Sequence, residues 1–348
     1  MSGDAPAALP KGAGLSLTGH LDRVSLTKVL DLQWPESRGR PIQEWLAGAD
    51  LSVDRFEAVG YEFGSVSGRL RPGARAWEVD ANGAAIAGHV VVPFSFPGEV
   101  PMVLELDRLH LGDRATGLGA RPDPDPRKLP AIRANLRDLV ADGRHFGAVE
   151  AELARGTAGM TLNRFTMKHA AFTAEGRGSW LVQGGAASCS LDFEAETTDV
   201  KGFMEAMQLG TQVVGEKGHL SAQLTWPGAP EASAFERLSG RLELSAANGQ
   251  LTSVEPGAGR VFGLMSLAHL KRRLALDFND LTGEGLSFDT LTGTFRLTDG
   301  DAYTDNLTLR GSAAEIGVAG HTNLRNHTYD QTAIVTGQLG ASLGVVAG

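Results

Sequence analysis

Arg273-Leu274-Ala275-Leu276-Asp277-Phe278-Asn279-Asp280 alternates: Leu274, Leu276 and Phe278 fall on one face of an extended chain, and Arg273, Ala275, Asp277 and Asn279 on the other. Thr294-Phe295-Arg296-Leu297-Thr298 repeats the alternation, and Asp299-Gly300 behind it is a strong short-range hairpin signal. Leu307 with Leu309, Ile316 with Val318, and Tyr329 with Ala333 and Val335 continue the series. The stretch Lys271 to Thr336 therefore reads as a meander of antiparallel strands with one apolar face. That face has to be covered, and the chain has few long amphipathic helices with which to do it. A barrel, a second stacked sheet, or a fold around something that is not protein would each satisfy it.

The rest of the chain fits the same reading. Its 348 residues include 45 glycines, only 6% aromatic residues and 42% apolar residues, a composition that suits many short strands and tight turns and excludes wholesale disorder. A formal net charge of -9, with arginines scattered among acids, argues against nucleic acid or an anionic membrane surface as the main partner. Cys189 is the single cysteine, so an intrachain disulfide and a thiolate metal cluster are excluded; between Ser188 and Ser190 at the start of an alternating strand, it reads as a buried small side chain. Nothing from Met1 to Pro10 reads as a signal peptide, and no run reaches the roughly 20 apolar residues of a membrane span.

Alternating strands are expected from Leu15 to Leu21, from Leu51 through Val90, and at Met102–Leu109, with short helices at Ser25–Leu30 and Ile42–Leu46. Arg121-Pro122-Asp123-Pro124-Asp125-Pro126 cannot be a central strand and marks the best candidate boundary, dividing the chain into 1–120 and 121–348, two parts of one continuous sheet. Ile132, Leu136 and Leu139 have helical spacing, yet Ile132, Ala134 and Leu136 also alternate; the strand is preferred because Asp142-Gly143 and the apolar residues after it look like a hairpin partner. Farther on, Asp199 should cap a short helix carrying Phe203, Met204 and Met207, Asn248-Gly249 should be a turn, and Gly259–Leu270 should form a compact amphipathic helix.

No pattern here is catalytic. The nine histidines are dispersed and show no metal-ligand spacing, Gly184-Gly185 lacks the lysine and hydroxyl residue of a phosphate loop, and Ser16, Ser188 and Ser312 lack a nucleophile-elbow context. Asp277, Asp280 and Asp289 read better as solvated turn and strand acids than as a hydrolytic pair. The expectation is a protein that is not an enzyme and uses no cofactor or metal.

Several runs resemble the C-terminal portion of the AsmA-like superfamily, most closely its large YhdP-type members. They are Gly240-Arg241-Leu242-Glu243-Leu244, Pro256 to Arg260, Gly263 to Leu267, Arg272 to Phe278, Gly285 to Asp289, Asp299 to Leu307 and Ala314 to Gly320. Gly218 to Leu220 and Leu224 to Pro230 fit the same pattern. The resemblance implies a Gram-negative envelope protein, periplasmic and anchored in the inner membrane by an N-terminal helix in its full-length form. It also implies a long sheet whose groove accommodates phospholipid in transit toward the outer membrane. This chain lacks that anchor and much of that length, so it reads as a fragment.

The expected fold is therefore mainly β: a long curved antiparallel sheet forming an apolar groove, with a few short helices. Expected partners are phospholipid acyl chains and other envelope proteins, not nucleic acid. The expected groove lining is Leu242, Leu244, Leu276, Phe278, Phe295, Leu297, Leu307, Leu309, Ile316 and Val318. The main alternative is a structural β-sandwich or solenoid in which those same side chains are ordinary core, and an adhesin-like module or a glycan hydrolase on a β-scaffold are weaker ones.

Overall fold

The computed structural model describes residues 14–26, 41–58, 60–95, 98–112, 125–210, 212–230, 232–252, 286–312, 314–326 and 328–337. Among these it holds eighteen strands and two short α-helices, so the chain is mainly β, as its alternation requires. Two compact units divide it, Met1–Asn163 and Arg164–Gly348.

The first unit contains β1 (Leu15–Ser25), the single-turn α1 (Ile42–Trp45), β2 (Leu46–Ala58), β3 (Tyr61–Glu62), β4 (Val66–Pro72) and β5 (Ala76–Gly83). It continues with β6 (Ile86–Pro93), β7 (Met102–Leu111), β8 (Ile132–Ala141) and β9 (Arg144–Arg155). Pairing runs in sequence order, with β4 beside β2. Two joins depart from the expected antiparallel meander, because β1 with β2 and β7 with β8 are parallel. A parallel pair cannot be closed by a tight turn and needs a long crossover. The proline-rich Arg121–Pro126 stretch falls in the second of these connections, which is why it breaks the alternation without ending the sheet.

The ambiguous Ile132–Leu139 segment is a strand. Asp142 and Gly143 both have positive φ, 50° and 74°, the geometry of the tight turn whose twist matches paired strands. That turn returns the chain into β9, and the alternation of Ile132, Ala134 and Leu136 overrides their helical spacing because Leu153, Ala151 and Val149 stand opposite them.

β10 (Gly159–Lys168) lies at the division between the units. The second unit then has β11 (Phe172–Gln183), β12 (Ala186–Thr197), α2 (Val200–Ala206), β13 (Val213–Pro227) and β14 (Ser239–Leu251). After them come β15 (Leu286–Thr298), β16 (Asp301–Arg310), β17 (Ala314–Asn323) and β18 (Thr328–Gly337). From β11 to β18 every neighbouring pair is antiparallel. Asp299 and Gly300 turn the β15–β16 hairpin with φ of 46° and 83°.

Asn248-Gly249 does not turn the chain. Asn248 has the expected positive φ of 49°, but β14 runs through it to Leu251, paired on both sides. The Asn248 amide donates to Glu216 Oε2 at 2.9 Å, and the absent side chain of Gly249 leaves room for the Phe288 ring on β15. Continuous partners on both sides thus outweigh the local turn preference. The proposed helices at Ser25–Leu30 and Gly259–Leu270 lie wholly or mostly outside the described residues, as do Leu276 and Phe278.

Asp199 caps α2 as expected, accepting from the Gly202 amide at 2.9 Å. The helix lays Phe203 against Phe172, ring edge to face at 5.2 Å, over a small cluster that includes Ala174 and Ala195. The main core of this unit is built by β13 to β18, where Phe295, Leu307 and Ile316 are 1%, 2% and 2% exposed. Side chains so deeply buried contribute about 1.5–3 kcal/mol each. The first unit's buried cluster is much smaller: Ala58, Phe63 and Val66, with Phe56, Ile86 and Leu109 packed against them.

Candidate functional site

Directly opposed residues share a face of a sheet, so the register can be read across the strands as rows. In the first unit one row runs Ala49, Leu70, Val79, Val90, Leu104, Ala134, Ala151, apolar at every one of seven strands. All seven side chains are half-buried. The row beside it on the same face is Leu51, Gly68, Ala81, Gly88, Leu106, Leu136, Val149, its last three residues buried.

The intervening row, on the other face, is Asp50, Arg69, Asp80, His89, Glu105, Asn135, Glu150, polar at every strand. Its groups pair with one another and with Arg71 on the same face: Arg69 with Asp50 at 2.8 Å, Arg71 with Asp80 at 2.7 Å, and His89 Nδ1 with Asp80 Oδ1 at 2.8 Å. The His89 hydrogen bond, helped by Arg71 and Arg69, holds the Asp80 carboxyl below its ordinary value of 3.8. Across these rows the sheet is two-faced: charged side chains on one side pair with one another, and the apolar side is left partly exposed.

The second unit has the same two faces but a different degree of cover. Its apolar rows include Ala195, Leu220, Leu244 and Gly293, and Phe193, Ala222, Leu242 and Phe295. Leu242 and Leu244 are half-buried, whereas Phe295, Leu297, Leu307, Leu309, Ile316 and Val318 are between 1% and 7% exposed and belong to one cluster. Eight of the ten expected lining residues are therefore brought to one face, two of them half-open and six enclosed.

The open rows of the first unit were not singled out from sequence. Each strand there is short and its alternation diluted by glycine and alanine, so no single segment stands out. The signal lies in the sum over seven strands, which only the register supplies.

Elsewhere, His20, Asp22 and Asp54 on β1 and β2 place one ligand atom each within 4.8 Å of one another, but all three are exposed, and His20 simply hydrogen-bonds Asp54 at 3.1 Å. Spacing along the chain could not reveal this group because it is assembled across a parallel pair. Cys189 is buried, and burial pushes its thiol up to about 12, so it is a packed side chain with no thiolate chemistry at neutral pH. Among the described residues no helix is long and apolar enough to cross a membrane.

A sheet with apolar rows along one face and charged rows along the other, with only two short α-helices among the described residues, makes this a mainly-β protein of two-faced sheets. The chain belongs to the YhdP protein family, whose model matches residues 1–348. It is 26% identical over 206 residues to the intermembrane phospholipid transporter YhdP of Escherichia coli (strain K12). That alignment covers 59% of this chain and 16% of the relative, so the chain matches a small part of that protein's length. No solved structure matches it.

Proposed function

We propose that this chain is a non-catalytic segment of a lipid-carrying β-groove and that phospholipid acyl chains lie along its apolar face. The observation that carries the reading is the row Ala49, Leu70, Val79, Val90, Leu104, Ala134, Ala151, half-buried throughout and backed by a charged row. An ordinary core would enclose these side chains. A surface meant only for water would not make them apolar across seven strands. Each methylene moved from water onto such a surface gains about 0.8 kcal/mol, so an acyl chain is held without any directional contact and can slide.

Family membership and the relative's role as an intermembrane phospholipid transporter support the same reading. We take the setting to be the bacterial envelope, in the periplasm, with an inner-membrane anchor in the full-length protein and other envelope proteins as partners. Within the second unit, considered by itself, Leu242 and Leu244 are the half-buried candidates for such a lining. Phe295, Leu297, Leu307, Leu309, Ile316 and Val318 are enclosed in that unit's core, and Leu276 and Phe278 are assigned to the lining by their alternation.

A photo-crosslinking residue tests this directly. Placed at Val79, Val90 or Leu104 in the protein in cells, it should capture phospholipid, while at Asp80, His89 or Glu105 it should not. Equal capture on both faces, or none at the apolar positions of a folded protein, would reject the proposal. The structural alternative, in which the apolar face is ordinary core, predicts no lipid adduct at any of these sites.

A further inference from the structure

A trough of about 640 Å³ opens on the Arg164–Gly348 unit, and the register places its floor and walls. Lys217 and His219 lie two residues apart on β13 and so share a face. Ala247 and Ser245 on β14 stand opposite them, and Thr290 and Thr292 on β15 stand opposite those in turn. This is the polar face, since the alternate row of Leu220, Leu244 and Gly293 belongs to the apolar side. The middle strand carries the short side chains and its neighbours the longer ones, giving a low floor between two walls. With strands about 4.8 Å apart, β13 and β15 are separated by about 10 Å, which lets one small oxyanion reach both walls.

The lining is rich in hydrogen-bond donors. Lys217 supplies a full positive charge and His219 an imidazole; His169, from the β10–β11 turn, accepts the Ala171 amide on Nδ1 and has only Nε2 to offer. Ser245, Thr290 and Thr292 supply hydroxyls; the opposing negative group in the lining is Glu196, directly across from His219. Among the described residues the side chains of Lys217, His219, Ser245, Thr290 and Thr292 make no hydrogen bond or ion pair with the protein. On the same face of neighbouring strands Arg177 pairs with Asp192 and Arg310 with Glu315, whereas Lys217 has no ion-pair partner among the described residues.

We propose that this trough binds a phosphate-bearing anion, with Lys217 and His219 contributing charge-assisted hydrogen bonds and the β14 and β15 hydroxyls completing the oxygen shell. Ala247 leaves the space the anion occupies. The site lies on the face of its own unit opposite Leu220 and Leu244 and does not depend on the acyl-chain reading. The phosphate could belong to a lipid head group or be free in solution.

The full 348-residue chain would be titrated with inorganic phosphate and, separately, with phosphatidylcholine vesicles containing phosphatidylglycerol, both at low ionic strength, where charge contacts are least screened. Saturable phosphate binding is expected, weakened about tenfold or more by Lys217→Ala, as loss of a hydrogen bond to a charged group implies. Ala247→Leu, which fills the floor, should weaken it as well, and Glu196→Gln should strengthen it, with circular dichroism unchanged throughout. If vesicle binding follows the same order, the source is a lipid head group. If vesicle binding ignores the substitutions while phosphate binding responds, the source is free phosphate. Absence of saturable phosphate binding, or indifference of that binding to Lys217→Ala in folded protein, overturns the proposal.

Discussion

His89 Nδ1 lies 2.8 Å from Asp80 Oδ1 across the β5–β6 pair, directly behind the apolar contact of Val79 with Val90. Donation from the imidazole to the carboxylate favours the charged acid, and Arg71 adds to it, so Asp80 ionises below 3.8. A depressed carboxyl stabilises the fold fully above its unfolded value and loses that contribution as pH falls through the lower folded value. Carboxyl-carbon NMR should therefore find Asp80 titrating below 3.8, and His89→Ala should move its midpoint upward. Because the pair is substantially exposed, the accompanying change in stability should be small.

Leu307 and Leu104 separate an enclosed core from an open face. Leu307 is 2% exposed inside the largest cluster, so Leu307→Ala should cost about 2–5 kcal/mol, from lost transfer energy plus a cavity. Leu104 is half-buried, and the same change there should cost under about 1.5 kcal/mol because little cavity is left. Urea unfolding of the two variants measures the difference, and equal costs would mean that the apolar face of the first unit is covered in solution.

Gly240 tests backbone fit. Its φ is 136°, and a Cβ there would run into the carbonyl oxygen of Gln223 on β13. Gly240→Ala should destabilise the second unit by about 1–3 kcal/mol through strain alone. Gly185 also has positive φ, 84°, but faces open space, so Gly185→Ala should cost only about 1 kcal/mol. Thermal unfolding of both would rank them.

Asp199 is predicted to hold α2 in place. Asp199→Ala removes the acceptor for the Gly202 amide and should cost about 1 kcal/mol, whereas Asp199→Asn or Asp199→Ser should retain most of the stability. Loosening of the Phe203 contact with Phe172 would appear as increased amide exchange across Val200–Ala206.

Where function is concerned, chain order concealed the more informative surface. The strongly alternating runs around Leu242, Phe295 and Leu307 were legible as an inward face because large apolar residues recur at every second position in one segment. In the structure six of those residues are enclosed. The open face instead comprises weaker runs such as Val66–Pro72 and Ala76–Gly83, where Gly68 and Ala81 interrupt the larger residues. An individual strand carries too few apolar side chains to distinguish an open surface from a sealed one, and their exposure depends on what lies over them.

The turn residues show the same division. Asp142-Gly143 and Asp299-Gly300 became hairpin turns, but Asn248-Gly249, with the same local preference, was absorbed into β14 because Gly215 and Phe288 pair with Gly249 on either side. Period-two alternation, the Asp199 cap and most of the Gly-containing turns were set by the sequence itself, since each rests on interactions within a few residues. The parallel joins of β1 with β2 and β7 with β8, the seven-strand apolar row and the trough beside Lys217 were decided only by tertiary structure. Each of these depends on which distant strands hydrogen-bond and in what register, a choice made by the summed burial and pairing of the whole sheet that no local stretch encodes.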